Sequence, residues 1–300
     1  MMTVLQNKID FAVVLRVKRA NPNGDPLNGN RPRTDYDNFG EMTDVSIKRK
    51  IRDRLLEKWV AAGKNEDDGN MIFVQSDDRK VDEHKSLRSR AQAILGDKLG
   101  SDKTVELASK KWLDVRAFGQ LFALKSSKKI KKENSAEVAE NEGDGDAGVS
   151  IGIRGPVTVQ SAFSVEPVDV ASTQITKSVS GEDTRDGKRS SDTMGMKHRV
   201  DKGIYVFFGS MNPQLAEKTK FGEDDAEAIK QVLPRLFEND ESAARPAGSM
   251  EILKVIWWRH NCKSGQYSSA KVHRTLTTMP DGQVELANLG GLEPEVIDGF

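Results

Sequence analysis

The sequence predicts an α+β protein of the split βαβ kind, whose core runs strand, helix, strand, strand, helix, strand with long polar excursions between the elements. Three observations predict it. The segments 9–17, 203–211 and 250–258 are dense in β-branched and aromatic residues and read as buried strands. Apolar residues recur at helical period after Thr43 and again within 222–239. Between these stretches lie segments too polar and too rich in turn residues to belong to a packed core. With the excursions removed, the order βαββαβ is shared with the RNA-recognition fold.

The first strand, 9–17 (IDFAVVLRV), opens into KRANPNGDPLNGNRPRTD at 18–35, where Asn-Pro, Asp-Pro and Asn-Gly steps make a regular element improbable. This loop carries Lys18, Arg19, Arg31 and Arg33. A helix follows, with Thr43 as N-cap, Asp44 in the first turn, and an inward stripe of Val45, Ile47, Ile51, Leu55, Leu56 and Trp59 ending near Gly63. Lys48, Arg49, Lys50, Arg52 and Arg54 occupy its other face. Residues 64–82 read as a polar insertion around a short apolar patch, 83–96 and 104–111 as helices, and 110–125 as an apolar segment packed tightly at Gly119. Residues 126–148 pair a lysine run with six acidic residues, the composition of an exposed loop. Strand character returns at 152–170, and 171–202 is a second polar excursion with seven Lys/Arg against five acidic residues. The strand 203–211, the acidic helix 222–239, the strand 250–258 and a turn-rich tail with a short hairpin around 280–282 complete the chain.

Composition limits function. With 46 Lys and Arg against 46 Asp and Glu the net charge is zero, so a nucleic-acid surface requires local segregation of charge. The single cysteine, Cys262, excludes a disulfide framework or a cysteine zinc site within one chain and fits a reducing cytosol. The apolar run at 9–17 is too short for a signal peptide or a spanning helix, which predicts a soluble cytoplasmic protein without membrane contact.

Three constellations suit a polyanion, and each has a plainer alternative. Lys18, Arg19, Asn21 and Asn23 sit where a turn presents backbone N–H groups beside cations, as a phosphate-contacting loop requires; an ordinary surface loop has the same residues. Lys48, Arg49 and Arg52 form a stripe able to follow a phosphate backbone; the alternative is a solvated face with pairs such as Arg49 with Asp53 and Arg54 with Glu57. The 171–202 excursion brings Lys177, Lys197, His198 and Arg199 near Met194 and Met196, whose flexible side chains suit a wedge against a base or a neighbouring subunit; a disordered loop is the alternative. No zinc-hydrolase pair, nucleophile elbow or dinucleotide loop occurs. Asp25 and Asp35 keep open a metal-dependent endoribonuclease, and self-assembly without nucleic acid is a third reading, but the sequence is read as non-catalytic, with no cofactor and no metal.

Six segments, in order, carry a family resemblance: RANPNGDP at 19–26, TDVSIKRKIRD at 43–53, DVRAFG at 114–119, GPVTVQ at 155–160, DTMGMK at 192–197 and GIYV at 203–206. Spread over most of the chain, they resemble the backbone subunits (the Cas seven family) of class 1 CRISPR effector complexes, and look closest to that of the type I-C Cascade. The resemblance implies a modified RNA-recognition palm spanning 1–300, with an RNA-facing loop at 18–42, fingers at 64–148 including the 126–148 elaboration, and a thumb at 171–202. It implies copies stacked head to tail as a helical filament on the crRNA spacer, a ribonucleoprotein of antiviral defense. Each thumb displaces one base, placing Met194 and Met196 beside it, and leaves the rest to pair with a target DNA strand. The partners implied are crRNA, further copies, the large, small and guide-processing Cascade subunits, and a recruited helicase-nuclease. Type I subunits of this family are not nucleases, so Asp25 and Asp35 are read as structural. The aromatic pair with which the RNA-recognition fold stacks bases has no clear match, and Phe207 and Phe208 fit the core equally well.

Overall fold

The first strand, Ile9–Ala20, is paired along both edges: antiparallel to Met194–Met211 on one side and to Met250–Arg259 on the other. In the computed structural model, which describes residues 3–124, 149–176 and 194–300, these strands form the middle of an eight-stranded antiparallel sheet. Pro294–Asp298 extends it beyond Met250–Arg259. On the other side, Ala162–Pro167 pairs with Met194–Met211, and Phe39–Met42 with Ala162–Pro167. Val157–Val159 and Val170–Thr176 pair with opposite ends of Met194–Met211. The chain order Ile9–Ala20, helix Asp44–Ala61, Ala162–Pro167, Met194–Met211, helix Glu223–Val232, Met250–Arg259 is the βαββαβ order read from the sequence. In space those four strands stand fourth, first, third, second.

Alternation along the first strand sorts two cores. Phe11, Val13, Leu15 and Val17 face the helical side, with Ile47, Ile51 and Leu55 of the long helix, Ala226 and Ile229 of the acidic one, and Leu233 just after it. Ala12 and Val14 face the other side, with Ile256 and Trp258. Each large side chain so buried contributes roughly 1.5–3 kcal/mol. The long helix starts where the sequence places it: Thr43 accepts a hydrogen bond from the N–H of Ser46 at 3.3 Å.

Its faces differ from the expected ones. Val45 is exposed rather than inward, while Lys50 and Arg54 are buried. Chain packs against this helix on several sides, so its cations meet protein carboxylates: Asp240 for Lys50 and Glu57 for Arg54. The 18–35 stretch is also more regular than expected. The first strand continues through Ala20, Gly24–Asp25 pairs with Arg31–Pro32, and Phe39–Met42 joins the sheet. The 126–148 segment lies outside the described residues, as does 177–193 of the polar excursion.

Asp114 ties the insertion after the long helix to the core. Fully buried, it accepts from the backbone N–H of Phe73 at 2.7 Å, from that of Val74 at 3.1 Å and from Arg52 Nε at 2.9 Å. Phe73, Trp112 and Phe122 pack against one another, with ring centroids 4.6 to 6.5 Å apart. Arg116 makes a two-pronged pair with Asp225 of the acidic helix at 2.7 and 2.8 Å. Gly119 then turns the chain at φ 81°, where a Cβ would lie 2.2 Å from the carbonyl oxygen of Ile153; only glycine fits.

The C-terminal segment covers the second face of the sheet. Val272 and Leu292 pack on Ala12, Val14, Ile256 and Trp258, and His273 stacks on Phe208 at 4.7 Å. Buried Asp10 fastens this cover: His260 Nε2 donates to it at 2.9 Å and Lys8 lies 2.9 Å away. The N–H of Gln266 donates to His260 Nδ1 at 2.9 Å, so the His260 proton sits on Nε2. Burial pushes the Asp10 carboxyl up, but hydrogen bonds from His260, Ser269 and Lys8, with the Lys8 charge, outweigh it and leave it below the usual carboxylate value. Burial holds the His273 imidazole below 6.5 against the pull of Asp10.

Asp114→Ala leaves Arg52 and two backbone donors without their acceptor and is expected to cost about 3 kcal/mol in urea denaturation; a loss below about 1 kcal/mol would remove this carboxylate from the organising role. His273 binds its proton less readily folded than unfolded, so the unfolded chain carries the extra proton as pH falls below 6.5 and stability declines there. His273→Gln is expected to flatten the stability profile between about pH 7 and 5, and an unchanged slope refutes the assignment.

Candidate nucleic-acid interface

The polar excursion is a β-ribbon where it is described. Val170–Thr176 pairs with Met194–Val200 in the register Thr176 to Met194 through Val170 to Val200. The expected strand at 203–211 therefore begins at Met194, and the ribbon is its extension beyond the sheet. Strand alternation puts Met194, Met196 and His198 on one face with Gln174 and Ser172, and Lys197 and Arg199 on the other with Thr173 and Ala171. Met194 and Met196 are exposed, at 67% and 55%, so the Met-Gly-Met step lies on the surface. Lys177 lies outside the described residues.

At the foot of the ribbon the first strand changes face. Val17 and Ala20 both bury on the helical side although strict alternation puts residues three apart on opposite sides. Arg19, at φ 55°, absorbs the switch. A non-glycine residue in that conformation costs of order 1 kcal/mol and is held by its surroundings. Here the backbone N–H groups of Lys18 and Asn21 donate to Ser249 at 2.8 Å and to Ala244 at 2.9 Å. The supporting segment is fixed by Asp240, which pairs with Lys50 and with Arg245. Burial lowers the Lys50 ammonium to about 8, against the opposing pull of Asp240.

Asn21 and Asn23 shape this loop from within. Asn21 is buried and donates to the carbonyl of Asn30 at 2.7 Å. Asn23 accepts from the N–H and hydroxyl of Thr43 at 2.9 and 3.0 Å, tying the loop to the start of the long helix. Asp25 accepts from the N–H of Leu27 and pairs with Arg33 at 3.3 Å; Asp35 accepts from the N–H groups of Asp37 and Phe39. Both aspartates are engaged in holding turns. Because Asp25 goes to Arg33, its register partner Arg31 reaches the ribbon, donating to Ser172 at 3.2 Å; Ser172 also meets His198 Nδ1 at 2.8 Å.

Partners divide the cations named from sequence into two groups. On the helix, Lys48 pairs with Asp44 at 2.9 Å, Arg49 lies 3.6 and 3.5 Å from Asp53 and Asp78, and Arg52 pairs with Asp114 while covering the Phe118 ring at 5.0 Å. The charge-paired alternative describes this face better than an open stripe does. At the ribbon and its foot the balance differs. Arg199 lies 3.3 Å from Asp201, but among the described residues Lys18, Arg19, Arg31, Lys197 and Lys202 have no carboxylate within 4.0 Å. Arg31 and Lys202 are visible in the sequence as loop cations; only the structure shows that no carboxylate among the described residues pairs with them.

The family described as CRISPR-associated protein Cas7 matches residues 7–289. A CRISPR-associated protein Cas7 of Haloferax volcanii is 26% identical over 99% of this chain and 82% of its own length. Two solved chains share part of the chain's course at a TM-score of 0.42. One, from a CRISPR RNA-guided surveillance complex in a pre-nicking state, is 14% identical over 84% of this chain and 78% of that one. The other, from a CRISPR RNA-guided surveillance complex, is 16% identical over 92% and 77%. By the match across nearly its whole length, this chain belongs to the CRISPR-associated protein Cas7 family.

Proposed function

We propose that the protein is the repeating guide-RNA-binding backbone subunit of a class 1 CRISPR surveillance complex, of type I and in particular I-C, coating the crRNA spacer head to tail. Family membership supports the class, and the observation that carries RNA contact is the set of cations at the ribbon and its foot that pair with no carboxylate among the described residues. In a chain of zero net charge, cations left without carboxylates on one extended edge are where a phosphate backbone gains most. Lys18, Arg19 and Lys197, with His198 and Arg199 beside them, contact phosphates and sugars without reading bases, and pairing with target DNA supplies specificity.

In this reading the four-stranded order fourth, first, third, second is the palm of an RNA-recognition type, 18–42 the RNA-facing loop, 64–148 the fingers and 171–202 the thumb. Met194 and Met196, exposed on one ribbon face, pack against the displaced base. Asn21 and Asn23 act by shaping the loop, and Lys48, Arg49 and Arg52 by holding the helix in place. The turn roles of Asp25 and Asp35 support a non-catalytic subunit, which leaves guide processing and target cutting to other subunits and a recruited helicase-nuclease.

Binding of single-stranded RNA tests this. Lys18→Ala with Lys197→Ala is expected to weaken affinity and to reduce the log-log salt slope by about 1.4, since each lost phosphate contact on a single strand removes about 0.7. Lys48→Ala with Arg49→Ala leaves that slope unchanged; the reverse outcome moves the interface to the helix. Met194→Ala with Met196→Ala is expected to blur the regular nuclease footprint on assembled guide while leaving thermal stability unaltered, and an intact footprint rules out their role at the displaced base.

A further inference from the structure

Lys18 and Lys202 stand directly opposite each other across the central strand pair. Cross-strand partners share a sheet face with Cβ atoms roughly 5 Å apart, and like charges in that relation repel. Both lysines are exposed, and among the described residues neither has a carboxylate within 4.0 Å. They line a cleft with Arg16, Arg19, Asp169, Asp201 and Glu251. Glu251 is taken by Arg16, and Asp201 by Arg199. That leaves Lys18, Arg19 and Lys202 facing Asp169 alone. The backbone of Arg19, next to one of the lysines, is itself held at φ 55°.

A repulsive pair at fixed register beside a strained arginine lowers the stability of the protein by itself, and an oxyanion between the two ammonium groups reverses the sign of the interaction. We propose that Lys18, Lys202 and Arg19 form a discrete subsite for one phosphodiester of the RNA strand, with the phosphate seated between the lysines and Arg19 supplying a guanidinium at its edge. The inference rests on the RNA-binding reading above and adds Lys202, the member that gives the site its second wall. The bulge-like turn at Arg19 is part of the same device, because it keeps Lys18 on the solvent side while Ala20 returns to the core.

The test compares the full-length protein with Lys202→Gln and Lys202→Arg in two measurements. One is urea denaturation without RNA; the other is affinity for a single-stranded RNA oligonucleotide across a salt series. Lys202→Gln is expected to raise the urea midpoint of the RNA-free protein, because it removes the repulsion, while lowering the salt slope by about 0.7. Lys202→Arg keeps the slope. If wild type binds RNA and Lys202→Gln binds with the same slope, the subsite is refuted and the broader reading stands. A lowered midpoint in Lys202→Gln identifies Lys202 as a structural residue and also overturns the subsite. Failure of the wild type to bind RNA overturns both.

Discussion

Every cation that this fold takes out of water has to meet a carboxylate. The rule follows from the cost of burying an uncompensated charge, and it governs the placement of much of the helical side. Arg116 meets Asp225, Lys50 meets Asp240, Arg52 meets Asp114 and Arg90 meets Asp82, and each pair joins segments far apart in sequence or closes a loop on itself. These pairs set the position of the helices on the sheet more than they add to stability, since a well-packed apolar pair of the same volume stabilises comparably. Outside that interior, and among the described residues, the cations of the ribbon and its foot (Lys18, Arg19, Arg31, Lys197 and Lys202) pair with no carboxylate. Zero net charge thus conceals an interior whose cations are neutralised in place.

The ribbon depends on that body through a short series of contacts. Asp240 fixes the segment whose Ala244 and Ser249 carbonyls hold the end of the first strand, and that strand turns over at Arg19 where the ribbon leaves the sheet. On the other side, Asn23 ties the loop to Thr43, and Arg31 ties the small hairpin to Ser172 of the ribbon. Lys18 and Lys202 are therefore set by strand register, and Arg31 by a turn whose aspartate is already engaged. Side chains placed by backbone pairing hold their geometry better than side chains on a free loop.

The parts of this arrangement that obey local rules are legible in the sequence. The long helix shows its N-cap at Thr43, and pairs one turn apart, Asp44 with Lys48 and Arg49 with Asp53, follow from helical spacing. The helix Thr104–Lys111 and the strand Met250–Arg259 fall where period and composition put them. What was hidden is non-local. Nothing near Arg52 announces that Asp114, 62 residues on, is its partner, so an inward arginine read as an outward one. The ribbon escaped notice because neither of its faces is buried: Met-Gly-Met-Lys-His-Arg alternates flexible apolar and cationic residues instead of core and solvent residues. The roles of Asn21 and Asn23 were likewise unreadable, since an asparagine that binds a ligand and one that binds its own loop have the same neighbours in sequence.

The imidazole of His273 lies flat on Phe208, on the side of the sheet away from the long helix. An aromatic ring parallel to a sheet-borne phenyl ring is the posture a nucleobase takes on a single-strand-binding sheet. Here the seat is filled by the chain itself, with buried Asp10, held by His260 and Lys8, 3.7 Å from the occupant's Nε2. Phe208 is thereby covered, while Phe163, paired with Val206 on the same face, stays 44% exposed. Under the proposed function, the ribbon edge grips sugars and phosphates, which repeat identically along any strand, and the letters stay free for pairing.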